Sequence, residues 1–288
     1  MKKSPLIAVL TDFGTIDPFV GIMKGVIARI APEIPVVDLT NNIPRGDVKR
    51  AAVNLWQSCS YFPRGTVFLC VVDPGVGTSR NAILVQSGDY SFIGPDNGLF
   101  TFMMTEDAKA WELNNPQYGL SKIGSTFHGR DVFAPAAAYA ALGIPGAKFG
   151  PIIRKPVNLV WPRLKQVQPG VLRGEILFAD RFGNLLTSLG CFEREGDLGF
   201  GFIPWLPVPG MHHFDEQWML KDAVIELEDG TGLSWAKTFE DIPAGKCAFI
   251  IGSSGLIEIA SNRQDAKQRL DLGGGDPVIL RLKGEPHG

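Results

Sequence analysis

The 288-residue sequence is short of the features that would place a protein in several large classes. Its four cysteines (Cys59, Cys70, Cys191 and Cys247) are far apart, with no C-x-x-C and no His/Cys metal spacing. Neither a disulfide framework nor a zinc module is expected, and the thiols read as reduced. Charge of neither sign dominates: 28 Lys and Arg stand against 30 Asp and Glu, and no basic cluster occurs. A protein working on phosphate backbones would carry a basic stripe, so nucleic acid is not an expected partner. No apolar run approaches the ~20 residues of a membrane span. The run Leu6–Leu10, behind Lys2 and Lys3, meets Asp12 too soon for a signal sequence. The expectation is a soluble cytoplasmic protein with no membrane partner. Also missing are the Gly-Lys-Ser/Thr of a phosphate loop and the G-x-G-x-x-G of a dinucleotide fold.

What is present is an ordinary folded composition, 45% hydrophobic and 20% charged. At roughly 150 residues per domain the length suggests two domains. In the first half strand and helix signals alternate. Leu6–Leu10 reads as a buried strand, and Phe19, Ile22, Met23, Val26, Ile27 and Ile30 repeat at helical spacing until Pro32. Val36–Leu39, Val67–Val72 and Ala82–Val85 read as further strands. Asp47 suits a helix N-cap, and Asp131–Leu142 reads as an Ala-rich helix. This order predicts an α/β fold, a mostly parallel sheet covered by helices, over residues 1–153. Residues 154–170 hold three prolines without a period and read as a linker. Beyond it, short runs at Gly174–Ala179, Ala223–Leu227, Cys247–Ile251, Ile257–Ala260 and Pro277–Leu282 alternate with Gly-rich breakers. They predict an antiparallel β domain over 171–288. The aromatic, Pro-rich segment from Phe200 to Trp218 is left unassigned.

Polar residues gather where a parallel sheet puts its functional crevice, beyond the carboxyl ends of strands. Asp12 follows the first strand, and Asp73-Pro-Gly-Val-Gly-Thr-Ser-Arg80 follows the third. Pro95-Asp-Asn-Gly98 comes after the fourth, and Phe127-His-Gly-Arg-Asp131 opens the Ala-rich helix. An isolated strand-end Asp is more often a cap or turn former, Asn97-Gly98 needs no function beyond a turn, and a single His is usually structural. Four such loops in one half-chain favour a site. A carboxylate, an imidazole and a guanidinium brought together would position and deprotonate a water, without saying what that water attacks.

Taken in order, these segments resemble the S-adenosyl-L-methionine hydroxide adenosyltransferase family, hydrolase relatives of fluorinating and chlorinating enzymes. The matching pieces are Leu10–Gly14, Asp17 with Lys24-Gly25, Val37–Thr40, Ile43-Pro44 with Asp47, Val72–Arg80 and Pro95–Leu99. They continue through Ser125–Asp131, Asp180–Asn184 and Gly252–Ala260, over nearly the whole chain. The resemblance implies hydrolysis of S-adenosylmethionine to adenosine and methionine with no metal or added cofactor. It implies a homotrimer whose small-molecule substrate lies between neighbouring subunits. It places a catalytic triad on Asp73, Arg80 and His128. Asp12 falls where the ribose hydroxyls are held, Phe182 and Asn184 where adenine is contacted, and Asp180 and Ser253 at the methionine end. Departures are Asn41 where relatives often carry His, Ser188 where Asn is common, and Ser254 where halogenating relatives have Arg.

Displacing a sulfonium at C5′ releases a neutral thioether, so no acid is needed for the leaving group. The difficulty is the weak nucleophile, water with a pKa of about 15.7. A pocket base supplies roughly 10² to 10⁴ in rate. Whether Asp73 or His128 takes the proton is left open by the sequence. In the halogenating relatives the positions of Asp73 and of His128-Gly129 are Tyr and Tyr-Ser, and a carboxylate in their place would repel a halide. The alternatives are a halogenase forming 5′-halo-5′-deoxyadenosine and a non-catalytic adenosine- or S-adenosylmethionine-binding module.

Overall fold

The computed structural model describes residues 5–195, 199–203, 205 and 220–282. It divides into two compact units, Met1–Leu159 and Val160–Gly288. Among the described residues no helix is long and apolar enough to cross a membrane.

The N-terminal unit runs β1 (Ile7–Thr11), α1 (Phe19–Ile30), β2 (Val36–Thr40), α2 (Val48–Cys59), β3 (Val67–Val71), β4 (Ala82–Ser87), β5 (Tyr90–Pro95) and β6 (Lys109–Glu112). A π-helical turn at Gly129–Phe133 leads into α3 (Ala134–Ala141), and β7 (Ile152–Ile153) ends the sheet. The strand order is β2-β1-β3-β5-β4-β6-β7. β2, β1, β3 and β5 are parallel neighbours, and β4, β6 and β7 add antiparallel pairings at the other edge. β1 explains why the sheet is covered on both faces. Ile7 and Val9 enter one core with Met23 and Ile27 of α1 and the alanines of α3, while Ala8 and Leu10 enter the other with Leu55 of α2. The Asp47 carboxylate caps α2 by accepting from Arg50 N at 2.9 Å, as its sequence position suggests.

Two details depart from the sequence reading. A strand the sequence reading did not assign follows Ala82–Val85: the chain turns back at Gly88, whose φ of +54° permits the tight return, and β4 pairs antiparallel with β5. The Asp96-Asn97 loop therefore ends β5. The apolar face of α1 is only partly covered, with Phe19 43% and Ile22 38% exposed.

The C-terminal unit runs β8 (Leu164–Gln168), β9 (Val171–Ala179), β10 (Leu185–Thr187), β11 (Phe192–Glu195), β12 (Gly199–Phe202), β13 (Val224–Glu226), β14 (Gly232–Ser234), β15 (Cys247–Ile251), β16 (Ile257–Ser261), α4 (Ala266–Leu270) and β17 (Pro277–Arg281). An antiparallel sheet follows the order β14-β13-β17-β9-β10-β16-β15, with β8 added on β9. A bridge between Trp235 and Phe249 joins its two ends, so the sheet nearly closes around Ile176, Leu185, Phe249, Ile257, Ile259, Val278 and Leu280. β11 and β12 form a separate hairpin.

The stretch 154–170, read as a linker, belongs to structure on both sides. Val157 N donates to Asp96 Oδ1 and Leu159 N to Thr101 Oγ1, each at 2.8 Å, while Leu164–Gln168 forms β8. Its strand is hidden in the sequence because only Leu164 turns inward and Val167 is 57% exposed. The start of the unassigned Phe200–Trp218 segment is core: Phe202 meets the Phe192 ring and Trp205 Nε1 donates to Ser188 O at 2.9 Å. Residues 204 and 206–218, with His212 and His213, lie outside the described residues, as does His287.

Candidate active site

Parallel pairing of β1 with β3 sets Thr11 beside Val71, so the segments carrying Asp12 and Asp73 leave the same end of the sheet side by side. Asp12 Oδ2 accepts from Gly46 N at 2.8 Å, which fixes its carboxylate at the end of β1. Asn97 Nδ2 donates to Val72 O at 2.8 Å, tying the end of β5 to the residue before Asp73. Asn97 thus does the structural work of its turn.

The loop from Asp73 to Arg80 folds back on itself through Val76 N to Asp73 O and Thr78 N to Gly75 O. Gly77 has a φ of +79°, and a Cβ there would come within 2.7 Å of Ser125 O. Only glycine fits both that conformation and that contact. The fold-back returns Arg80 onto Asp73: Nε donates to Oδ1 at 2.8 Å and Nη2 donates to Oδ2, a bidentate pair. The two side chains are 10% and 6% exposed. Arg80 Nη1 donates to Asn81 O at 3.2 Å, and the guanidinium lies 5.3 Å from the Phe133 ring centre. Arg80 Nη2 also lies 3.0 Å from His128 Nδ1. Asp73, Arg80 and His128 are therefore in one hydrogen-bonded row.

His128 opens the π-helical turn. The following Asp131, fully buried, accepts from Arg130 Nε at 2.6 Å, Arg130 Nη2 at 3.1 Å and Gly124 N at 2.8 Å. Burial pushes that carboxyl up, but the Arg130 and Gly124 hydrogen bonds outweigh it and hold it below its ordinary value. Sequence reading missed this pairing, because adjacent side chains on a helix do not ordinarily face each other.

Burial and the Arg80 charge hold the His128 imidazole below its ordinary 6.5, against the opposing pull of Asp73 and Asp131. A guanidinium only donates, so Nδ1 accepts and the ring's proton is assigned to Nε2. A histidine depressed on folding binds more protons unfolded than folded, so its contribution to stability is full above 6.5 and is lost as pH falls from there through the lower folded-state value. The expected result is a loss of stability between neutral pH and pH 5 that is smaller in His128→Gln. Urea midpoints measured across that range check it, and identical pH slopes for the two proteins would contradict it.

In the C-terminal unit Asp180, Phe182, Asn184 and Ser253 line one cleft of about 1160 Å³. Asp180 follows β9 and organises the turn: Oδ1 accepts from Phe182 N at 2.8 Å and Asn184 N at 2.9 Å, and Oδ2 accepts from Asn184 Nδ2 at 3.0 Å. Phe182 is held out at the tip, 77% exposed. The expected site residues thus form two groups, Asp12, Asp73, Arg80 and His128 in the first unit and the other four in the second. Among the described residues no group of three or more His, Cys, Asp or Glu is placed to hold a metal ion.

The model of the SAM hydroxide adenosyltransferase N-terminal domain matches residues 7–150, and that of the C-terminal domain matches 174–279. An (R)-S-adenosyl-L-methionine hydrolase from Thermus thermophilus is 38% identical over 280 residues, covering 94% of this chain and 97% of its own. One of the same name from Salinispora arenicola is 37% identical, covering 96% and 98%. A fluorinase from an Actinoplanes species is more distant, at 27% identity over 90% of this chain and 91% of its own. Among solved structures, an uncharacterized conserved protein from Thermotoga maritima superposes with a TM-score of 0.80 at 30% identity, covering 96% of this chain and 99% of that one. The chain belongs to the SAM hydroxide adenosyltransferase family.

Proposed function

We propose that this protein hydrolyses S-adenosylmethionine to adenosine and L-methionine by in-line attack of water on C5′. The observation that carries the reading is the hydrogen-bonded row of Asp73, Arg80 and His128 beside Asp12 at one end of a parallel sheet. The relatives at 37–38% identity named as hydrolases support it, and the fluorinases stand further away. In this mechanism Asp12 holds the ribose hydroxyls and Asp73 takes the proton of the attacking water. Asp73 is favoured over His128 because the imidazole lone pair at Nδ1 is engaged by Arg80, whereas a carboxylate accepting two hydrogen bonds keeps free lone pairs. The Nε2–H of His128 orients the water, and Arg80 steadies the charge that develops on it. Phe182 and Asn184 contact adenine, and Asp180 and Ser253 face the methionine end. The departing thioether is neutral, so neither a proton donor nor a cofactor is called for.

The same proposal includes a cytoplasmic homotrimer in which the two groups of residues come from neighbouring subunits; sedimentation at assay concentration tests it. The function itself is tested by incubating the protein with the separated sulfonium epimers of S-adenosylmethionine, with and without chloride or fluoride. Adenosine and methionine in equal amounts are expected, including from the (R) epimer. A 5′-halo-5′-deoxyadenosine product would make it a halogenase, and bound ligand without product would make it a binding module.

A further inference from the structure

Lys24, Asp38 and Asn41 stand out in the sequence, yet no step of the proposed chemistry uses them. In the structure they form one hydrogen-bonded chain that ends beside Asp12. Lys24 Nζ of α1 donates to Asp38 Oδ2 on β2 at 2.6 Å, and the Asn41 amide hydrogen-bonds the same carboxylate. Burial alone would push the Asp38 carboxyl up; the bonds from Lys24 and Asn41 outweigh it and hold it below its ordinary value. An ionised carboxylate only accepts, so the Asn41 amide nitrogen turns toward Asp38 and its Oδ1 toward Thr11. Thr11 Oγ1 donates to that oxygen at 2.9 Å, with Thr11 fully buried and Asn41 5% exposed. A slip in the β1–β2 register makes the contact: Val9 pairs with Asp38 but Leu10 with Thr40, which brings Asn41 level with Thr11.

Thr11 and Asn41 together fix the backbone on both sides of Asp12. Phe13 N donates to Thr11 Oγ1 at 3.3 Å, and Gly14 N donates to Asn41 O at 2.7 Å. Ile43 N donates to Thr11 O at 3.3 Å, and the same segment runs on to Gly46, whose N–H holds the Asp12 carboxylate. We infer that Asn41 is a positioning residue that aligns Asp12 with the two ribose hydroxyls and so sets the preference for a ribonucleoside, an assignment that rests on the functional reading above. The role needs an acceptor and a donor on one short side chain. Leucine has neither, and aspartate would set a second carboxylate against Asp38.

The test compares wild type with Asn41→Leu, Thr11→Val, the double variant of these two, and Asp12→Asn. Calorimetry measures binding of adenosine and of 2′,3′-dideoxyadenosine, which lacks both hydroxyls, so no turnover is required. Asn41→Leu and Thr11→Val are each expected to weaken adenosine binding about tenfold while leaving the Kd of the dideoxy form unchanged, which also shows that they are folded. The double variant should bind adenosine no more weakly than Asn41→Leu alone, because the two changes break one connection. Thr11→Val keeps the shape of its side chain, so it carries the test if Asn41→Leu does not fold. Equal losses for both ligands, no loss for adenosine, or additive losses in the double variant would overturn the assignment. If Asp12→Asn alone loses adenosine selectively, Asn41 does not position it and the ribose role of Asp12 stands. The expected selective losses in a protein that yields no adenosine from S-adenosylmethionine would sink the hydrolase reading and leave this one standing. A wild type that binds the two ligands equally would overturn both this assignment and the role given to Asp12.

Discussion

Asp73→Asn is expected to lower kcat for S-adenosylmethionine hydrolysis by about 10²- to 10⁴-fold, with KM changed far less. The amide keeps the size of the side chain and one oxygen for Arg80 but cannot take a proton from the attacking water. His128 does not substitute for it, because protonation at Nδ1 would face the Arg80 guanidinium at 3.0 Å. Steady-state kinetics with adenosine measured by chromatography decide the matter. An Asp73→Asn enzyme with undiminished kcat would remove Asp73 from the reaction, while equal falls in kcat and rises in KM would make it a binding residue instead.

The second large effect is on stability. Arg80→Met leaves Asp73, only 6% exposed, without the bidentate partner that offsets its desolvation. Breaking such a pair from one side costs about 3 kcal/mol, much of it the penalty of an uncompensated carboxylate. Urea denaturation at neutral pH should show that loss. The double variant Asp73→Asn/Arg80→Met should recover most of it, since the amide carries no charge to strand. Additive losses in the double variant would mean that Arg80 stabilises through its stacking on Phe133 and its bond to Asn81 O, independently of Asp73.

The success of the sequence reading follows the range of the interactions involved. Helix α2 could be read from Asp47, because capping and helical periodicity act over four residues. The parallel core could be read from runs such as Leu6–Leu10, because a strand buried on both faces must be continuously apolar. β5 and β8 were not read. Tyr90–Pro95 is joined to its neighbour by a turn at Gly88, and β8 turns little apolar surface inward. Among site residues, types and order were legible in Asp73–Arg80 and Phe127–Asp131. Their roles were not, since a strand-end Asp that caps a turn and one that meets a guanidinium look alike in the chain.

The sequence by itself determined that this protein has a helix-covered, mostly parallel sheet followed by an antiparallel β unit, because burial periodicity is written residue by residue. It also determined which polar residues stand at strand ends. Only the tertiary structure decided that Arg80 turns back onto Asp73, and that His128, 48 positions further on, completes the row with its Nδ1 already engaged. That outcome depends on which strands become neighbours and on a glycine backbone pressed against a distant carbonyl. Such approaches are set by packing across the whole unit and leave no local period in the chain.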